Sequence, residues 1–542
     1  MSVIGPLLRK SSVHALIIVL LGLLAYSNTL KAPFVFDDYG TIIDNPIVQR
    51  FLNFTAAPEA MPDTTDFMRR YVGNISFALN YKLHGTDETG YHLFNISVHL
   101  INALLVYWIV LLTFKTPYFP AAAPAEEYSG FPELTALFSA LLFVAHPLQT
   151  QAVTYIAQRF SSLATLFYLT SLACYIVSRC ADTMSRKYVF YGASLVSAVL
   201  AMKTKEIALT LPVVALLYEF MFFEGDRKKR LLYLLPLLLT MLVIPLSFMQ
   251  GGSSLPGLIT QLGQRTAETD TISRHDYLIT QFRVIVTYLR LLFFPLDQNL
   301  DYDYPVCSSF FAPPVFLSFA LLLALFALGV YALHLSGPQG RPDRHELRLA
   351  AFGIFYFFMT LSVESSIIPI RDVIFEHRVY LPSAGFMIAV IAGIMSTVRQ
   401  MKKRGVSTGT YVVPLLALLV LVLAAAAYAR NAVWQDRISL WSDVVHKSPK
   451  KARPHNNLGQ AYAKQGLYEK AVEEYQTAVR LDPGYVQARS NLGFVLNNMG
   501  RLDEAISEYM AALRINPADA GVRAKLLFVL TKKTRARGRN VP

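Results

Sequence analysis

The sequence predicts an all-α protein in two parts: a membrane bundle of about eleven spanning helices, then a short solenoid of paired helices. Three observations carry this. Of 542 residues, 54% are hydrophobic and only 16% charged, against roughly 25% charged in an ordinary soluble domain. Apolar runs long enough to cross roughly 30 Å of hydrocarbon at ~1.5 Å per residue recur until about Arg430. Beyond it the chain turns charged and Ala-rich, and positions repeat at a spacing of 34.

In chain order the apolar runs are 11–30, 93–114, 133–148, 161–178, 188–203, 207–223, 231–249, 313–335, 349–366, 381–398 and 411–429. The first, preceded by Arg9 and Lys10, resembles a signal peptide, but the many spans that follow make it a retained anchor. A twelfth run, 278–295, is decided by charge. If it crossed, Arg399, Lys402, Lys403 and Arg404 would lie opposite Arg9, Lys10 and the cluster Arg227–Arg230. If it does not, these clusters share one face with Arg179, Arg186, Lys187, Arg341, Arg344 and Arg348, which is what the excess of Lys and Arg in cytoplasmic loops favours. Thr280, Arg283, Thr287 and Arg290 also fall on one helical stripe. Two arginines facing lipid would cost roughly 2.5–3.5 kcal/mol each, so this helix belongs in the interface or against a polar cavity. Eleven crossings place the N-terminus in the cytoplasm and the C-terminus outside. The segments 31–92, 149–160, 203–206, 250–312 and 364–380 then converge on the non-cytoplasmic face.

That topology also accounts for the net charge of +13. No basic stripe interleaved with aromatics is present, so nucleic acid is not an expected partner. Cys174, Cys180 and Cys307 make neither a disulfide framework nor a CxxC metal site.

In the C-terminal part, Asn457-Leu458-Gly459 recurs as Asn491-Leu492-Gly493, Gly466 as Gly500, Ala471 as Ala505, Tyr475 as Tyr509 and Pro483 as Pro517. This period, with small residues where paired helices touch and Pro at the unit's end, is the signature of tetratricopeptide repeats. The predicted domains are a membrane domain 1–430, repeats 431–533 and a basic tail 534–542, disorder being expected from Lys532 onward. Full repeats cover 450–483 and 484–517. Residues 433–449, with Trp441 at the place of Tyr475, supply half of a degenerate first unit, and 518–533 cap the array. Each unit needs neighbours to bury its apolar face, so an array this short is expected to pack against the membrane domain or a partner.

The candidate catalytic residues are Asp37 and Asp38, in Phe34-Val-Phe-Asp-Asp-Tyr39 just past the first apolar run. Two close carboxylates raise one pKa; one could take a proton from a hydroxyl while the other orients it or binds a divalent cation. A merely solvated loop pair is the bland alternative. Around them the sequence offers donors for a phosphate at the bilayer surface, where arginine's fork fits well. His146 and Arg159 flank a turn between spans, though an interfacial histidine and a snorkelling arginine are equally ordinary. Lys205-Glu206 sits between two runs, as a ligand pair or a plain ion pair. Glu376, His377 and Arg378 crowd a turn with Arg371 and Asp372, and Arg70 adds a cation in the outward segment 31–92. Asp301, with Asn299 and Asp303, reads either as a turn residue or as a ligand for sugar hydroxyls. No GxxxxGK[ST], GxSxG, HExxH or Rossmann fingerprint is present, which removes support for nucleotide-driven pumping and ordinary hydrolase chemistry.

Taken together, FVFDDYGTIIDNPIV, YHLFNISVHLINALLVY, AHPLQTQAVTYIAQRFSSLATLFYL, AMKTKEIALTLPVVALLYE and EHRVYLPSAGF resemble the membrane core of the transmembrane and tetratricopeptide repeat-containing O-mannosyltransferases and their prokaryotic relatives, GT-C type glycosyltransferases. The resemblance implies transfer of a sugar from a polyprenyl-phosphate donor to a protein Ser or Thr hydroxyl, outside the cytoplasm, with the repeats engaging the acceptor. It maps the family's acidic pair onto Asp37 and Asp38, its Lys-Glu turn onto Lys205 and Glu206, and its late charged turn onto Glu376, His377 and Arg378. Eukaryotic members usually carry a glutamate where this chain has Gln151, and their arrays are longer. The expected setting is therefore a prokaryotic inner membrane, with site and repeats periplasmic. Three competing readings are a non-catalytic scaffold recruiting envelope proteins, a transferase acting on glycolipid, and a flippase. The last predicts polar residues within spans, which read as mostly clean.

Overall fold

The computed structural model describes residues 10–50, 65–119, 130–248, 272–337, 345–366, 368–406 and 409–538. Arg9, Arg341 and Arg344 of the predicted basic clusters, residues 250–271 of the outward stretch and the last four residues of the tail lie outside them. Every regular element among the described residues is helical. Two compact units form: one from residues 1–298 and 305–432, the other from 299–304 and 433–542. The seam falls two residues beyond the predicted boundary at 430, and it gives the short segment 299–304 to the second unit.

The first unit contains α1 (Ser11–Tyr26), α2 (Tyr71–His84), α3 (Glu88–Thr113), α4 (Phe131–Ala145), α5 (Arg159–Arg179), α6 (Met184–Met202), α7 (Leu211–Phe222), α8 (Arg227–Leu239), α9 (Arg274–Phe293), α10 (Pro313–Ser336), α11 (Glu346–Leu361), α12 (Tyr380–Lys403) and α13 (Gly409–Ala432). Their starts are chemically marked. Asp87, Thr183, Asp226 and Ser273 accept hydrogen bonds from backbone N–H groups in the first turns of α3, α6, α8 and α9, which satisfies donors that a helix leaves open. Pro147 interrupts the run after α4, because it has no N–H to continue the ladder, and the chain bends by 52° there.

Among the described residues six helices are long and apolar enough to cross a membrane, or seven if the bent pair counts as one. Of the other predicted spans, α1 and α11 have 16 residues each and α7 has 12, whereas α6, at 19, is long enough but is not among the six. Eleven crossings therefore rest on the charge pattern and not on helix length. For α9 the contacts side with the charge argument. Tyr277, Gln281 and Tyr288 donate to the carbonyls of Glu364, Val373 and Phe375, all in one turn, and the Leu292 carbonyl meets His146. Helix α9 thus runs along one end of the bundle.

Antiparallel alternation sorts the helix ends. The C-terminal ends of α1, α6 and α11 and the N-terminal starts of α5, α7 and α12 lead into Asp37, Lys205, Glu364, Arg159, Glu206 and Arg378 respectively. Lys10, Arg179, Arg186, Arg227, Arg348 and Lys403 belong to the opposite ends of these helices and their neighbours. Helices α11 and α12 cross in backbone contact. A Cβ added at Gly353 would stand 2.4 Å from the Gly385 carbonyl oxygen, and one at Gly385 would stand 2.5 Å from the Tyr356 ring. Small residues permit such approach where apolar lipid gives no drive to associate.

The spans are less clean than the composition suggested. On α3, His92, Asn95, His99 and Asn102 recur at spacings of three, four and three, and none is exposed. His92 meets the Ala32 carbonyl, Asn95 donates to the Val153 carbonyl, His99 meets Tyr380 Oη and the Val144 carbonyl, and Asn102 donates to the Ser162 carbonyl. The stripe fastens α3 to the loops and helices beside it.

The second unit holds α14 (Arg437–Lys447), α15 (Ala452–Lys464), α16 (Tyr468–Leu481), α17 (Val486–Asn498), α18 (Leu502–Ile515) and α19 (Ala520–Gly538). The 34-residue period has a direct physical cause in packing. Tyr475 lies over Gly459 and Tyr509 over Gly493, where an added Cβ would come within 2.8 and 2.9 Å of the rings. Trp441, in the half unit, is buried as its place in the period requires. The tail departs from expectation: α19 continues to Gly538, so residues 532–538 are helical and not disordered.

Candidate active site

The acidic pair splits. Phe36 adopts a left-handed backbone with φ of 49°, a conformation costing of order 1–3 kcal/mol that persists only when its surroundings impose it. The turn sends Asp37 and Asp38 to different environments. Asp38 is fully buried, and its carboxylate accepts from Val35 N at 2.8 Å and from Ala157 N at 2.6 Å. It therefore ties the first loop to the turn that precedes α5. Burial pushes its pKa up to about 8, although the two N–H donors and Arg159 pull the other way. Asp37 is exposed and lines a cavity of about 520 Å³. Its N–H donates to Tyr155 Oη at 2.9 Å, and the Tyr155 hydroxyl is in turn hydrogen-bonded to its carboxylate. Burial and the two aspartates hold the Tyr155 phenol well above its ordinary range, so it stays a donor.

Three cations face the same cavity: Arg70, Lys205 and Arg378. Lys205 is buried, donating to Ser161 Oγ at 2.9 Å and pairing with Glu364 at 2.7 Å. Burial lowers its pKa, with Glu364 opposing. An ammonium has three protons, so these two bonds leave one for a ligand. Arg70 leans over the Phe160 ring and pairs with Glu206, which Arg69 also reaches at 3.1 Å. Burial works against the Glu206 anion, but the two guanidiniums outweigh it and hold the carboxyl at about 2. Arg378 donates to the carbonyls of Val373 and Asp372, and His377 stacks on Phe375 while Gln151 Oε1 accepts from its backbone N–H. Three cations against the carboxylates of Asp37 and Glu364 leave the cavity with net positive charge, suited to a phosphate.

The predicted site residues thus divide. Asp37, Arg70, Lys205, His377 and Arg378 line one cavity, and Glu206 braces Arg70 from behind. Arg159 does not: it is wholly buried, its donors going to Asn95 Oδ1 and to the carbonyls of Ser76 and Tyr91, with its guanidinium between the Phe77 and Phe94 rings. His146 is also internal, meeting the Leu292 carbonyl and accepting from Leu148 N. Glu376 lies behind the cavity wall and accepts from Gln298. Asp301 belongs to the second unit, clamped by Arg453 and Lys451. It cannot be counted in this cavity, because two cations of the repeat unit already take its carboxylate.

Sequence reasoning passed over Glu364 and Tyr155. Glu364 left a signal, a lone acid where an apolar run ends, whereas Tyr155 had only its place in the turn after His146. Among the described residues no three His, Cys, Asp or Glu side chains converge to hold a metal ion.

Comparison with known proteins follows the two units. Models described as "TPR repeat" and "Tetratricopeptide repeat" match residues 459–500 and 486–519. Protein O-mannosyl-transferase F38B6.6 of Caenorhabditis elegans is 27% identical over 82% of this chain and 59% of its own length. For Protein O-mannosyl-transferase Tmtc3 of Drosophila melanogaster the figures are 25%, 84% and 53%, and for human Protein O-mannosyl-transferase TMTC3 they are 23%, 80% and 48%. The chain spans about half the length of the curated relatives it matches. The crystal structure of ArnT from Cupriavidus metallidurans bound to undecaprenyl phosphate overlays with a TM-score of 0.37 and 16% identity, covering 92% of this chain and 80% of that one. Across about four-fifths of its length the chain is similar to these protein O-mannosyl-transferases, and within its C-terminal part it matches tetratricopeptide-repeat models.

Proposed function

We propose that the chain transfers a sugar from a polyprenyl-phosphate donor to a protein hydroxyl, with the cavity at Asp37 as its active site and that end of the bundle outside the cytoplasm. The observation that carries the reading is the cavity's chemistry: one exposed carboxylate across from three cations, at the end of the bundle remote from the Lys and Arg clusters. Asp37 accepts the proton of the acceptor hydroxyl, and the hydroxyl oxygen attacks the anomeric carbon. The bond from that carbon to the phosphate oxygen breaks, and the polyprenyl phosphate leaves with the electron pair. A single displacement of this kind inverts the anomeric centre. Arg70, Lys205 and Arg378 stabilise the charge that develops on the leaving phosphate, in a partly dry site where fixed cations act strongly.

A second cavity supports a lipid-linked donor. It measures about 850 Å³ and is apolar, lined from α9 to α12 by residues that include Leu289, Phe293, Leu325, Phe357 and Phe386. Helix α12 serves both places. The turn at its start carries His377 and Arg378, and Phe386 and Val390 follow further along. A phosphate held at the start of α12 would have its isoprenoid chain beside this groove. Mass spectrometry of envelope proteins from cells with and without the gene tests the proposal. Hexose missing from serine or threonine peptides in the null strain, and restored by wild type but not by Asp37→Asn, is the expected result. An unchanged glycoprotein profile would sink it in favour of a scaffold.

A further inference from the structure

As a neighbour of Arg378, His377 is an expected donor to phosphate, but its surroundings give it another task. Its ring stacks on Phe375, with centroids 5.2 Å apart and planes 26° apart. Gln151, buried in the short helix Thr150–Val153, meets it from the other side of the chain. Gln151 Oε1 lies 2.7 Å from the backbone nitrogen of His377 and 3.1 Å from its Nδ1. A backbone N–H only donates, so the Gln151 atom that it meets has to be the carbonyl oxygen and not the NH₂ end. That oxygen only accepts, so Nδ1 carries a hydrogen. The arrangement is costly, because Gln151 Nε2 is left buried without a partner, a penalty of about 1–3 kcal/mol. The side chain is set to hold His377 and not to satisfy its own amide.

These contacts leave one ring nitrogen over. Arg70, Lys205 and Arg378 line the same cavity as His377, and cations so near disfavour a further positive charge, so the imidazole is neutral. With the hydrogen on Nδ1, Nε2 presents a lone pair. Among the described residues no protein group bonds to Nε2, yet it is not sealed from solvent: it opens on the cavity that His377 lines. A lone pair repels the oxygens of a phosphate and accepts from a hydroxyl. In a sugar phosphate, the hydroxyls next to the phosphate belong to the sugar it carries. An acceptor placed beside three phosphate-binding cations therefore meets that sugar.

We propose that His377 Nε2 accepts a hydrogen bond from a ring hydroxyl of the donor's sugar, and that Gln151 is the positioning residue that fixes the tautomer and angle of the imidazole. The three cations hold the phosphate, which every such donor shares, and His377 distinguishes the sugar. The inference rests on the transferase reading and adds to it the group that selects the donor.

The test is equilibrium binding to the full-length protein in detergent, with no acceptor and no turnover. The probes are polyprenyl-phosphate mannose, the same lipid with each sugar hydroxyl removed in turn, and polyprenyl phosphate alone. His377→Phe keeps a ring on Phe375 and the backbone bond to Gln151 but has no ring nitrogen. It should bind the mannosyl lipid about three- to tenfold more weakly, the worth of one hydrogen bond, and polyprenyl phosphate as wild type does. One deoxy lipid should show the same deficit on wild type, and His377→Phe should add no further loss with it. The deoxy series on wild type reads the bond even where the variant folds poorly. Nitrogen NMR of histidine-labelled protein, with His377→Phe assigning the signal, should show hydrogen on Nδ1 and an Nε2 resonance that moves with the mannosyl lipid but not with polyprenyl phosphate. Gln151→Met, close in volume but without the amide oxygen, should mix the two tautomers in that spectrum and narrow the preference for the mannosyl over the deoxy lipid; an unchanged spectrum would remove Gln151 from the role. Wild-type affinity of His377→Phe for the mannosyl lipid would overturn the proposal, and a change confined to transfer rate or to the KM of an acceptor peptide would assign the nitrogen to the acceptor hydroxyl instead. Hydrogen found on Nε2 would overturn it as well. These results leave the transferase reading standing, whereas a wild type that binds neither lipid would sink that reading and this inference with it.

Discussion

Replacing each carboxylate of the acidic pair by its amide should give two different failures. Asp37 is exposed and lines the cavity, so Asp37→Asn should leave the melting temperature nearly unchanged, as surface substitutions do, within about 0.5 kcal/mol. Its effect should fall on chemistry: loss of a general base typically costs ~10²–10⁴ in rate. Asp38 is buried and accepts two backbone N–H bonds, one to each oxygen. Asparagine retains one acceptor oxygen and turns an amide NH₂ against the other N–H, leaving two buried donors without acceptors. At about 1–3 kcal/mol for each unsatisfied group, Asp38→Asn should lose on the order of 2–6 kcal/mol of stability. The assay is thermal unfolding of both purified variants beside sugar transfer per folded molecule. Wild-type transfer by Asp37→Asn would remove it as the base. A wild-type melting curve for Asp38→Asn, with activity lost, would show that Asp38 works in the chemistry and is not the anchor described above.

Three other expectations follow from the geometry. Arg159→Lys keeps a charge but replaces three fixed donors, to Asn95, Ser76 and Tyr91, by one flexible ammonium; it should destabilise by on the order of 3 kcal/mol while donor affinity of the folded fraction, read by titration, stays the same. Gly385→Ala forces a methyl to 2.7 Å from the Gly353 carbonyl oxygen and should cost about 1–3 kcal/mol, whereas Gly393→Ala, with nothing within 4 Å, should melt like wild type. Stability should also depend on pH in two windows. Folding raises the Asp38 pKa from 3.8 to about 8, so the folded state keeps a proton the unfolded chain gives up: that contribution is complete below about 4 and lost as pH climbs to about 8. Glu206 is lowered from 4.5 to about 2; its contribution is complete above 4.5 and lost as pH falls toward 2. Melting curves of wild type, Asp38→Asn and Glu206→Gln across that range separate the two, and a slope that survives in Asp38→Asn between pH 4 and 8 would refute the first assignment.

Periodic and extended signals were legible in the sequence, and convergent ones were only partly so. The 34-residue repeat could be read because Tyr475 and Tyr509 each demand a glycine beneath the ring, at Gly459 and Gly493. The predicted stripe of α9 did not point to its contacts with the turn at 364–375, which come from Tyr277, Gln281 and Tyr288. Residue type alone could not divide Asp37 from Asp38, since their separation depends on one left-handed residue, Phe36, and on an N–H of Ala157 far along the chain. Arginine at a helix start reads as a phosphate ligand in general; Arg159 is a structural knot because the acceptor Asn95 and the rings of Phe77 and Phe94 come from α2 and α3. The polar stripe of α3 was written plainly at 92, 95, 99 and 102, but hydropathy averaged over a window dilutes four polar residues among 26.

The seating of residues 299–304 in the repeat unit changes how that unit must be made. Tetratricopeptide arrays fold through contacts between neighbours, but here the first repeat also needs Asp301, 152 residues before Arg453. During synthesis this segment emerges long before its partners, and must wait, exposed, until α15 is complete. A fragment begun at Val433 would lack it and would leave the carboxylate site of Arg453 and Lys451 unfilled at its first repeat. Chain cleavage at the junction near Ala432 would leave residues 299–304, which group with the repeats, on the N-terminal fragment. What looks in the sequence like an appended module takes part of the packing of its first repeat from residues 299–304, far earlier in the chain.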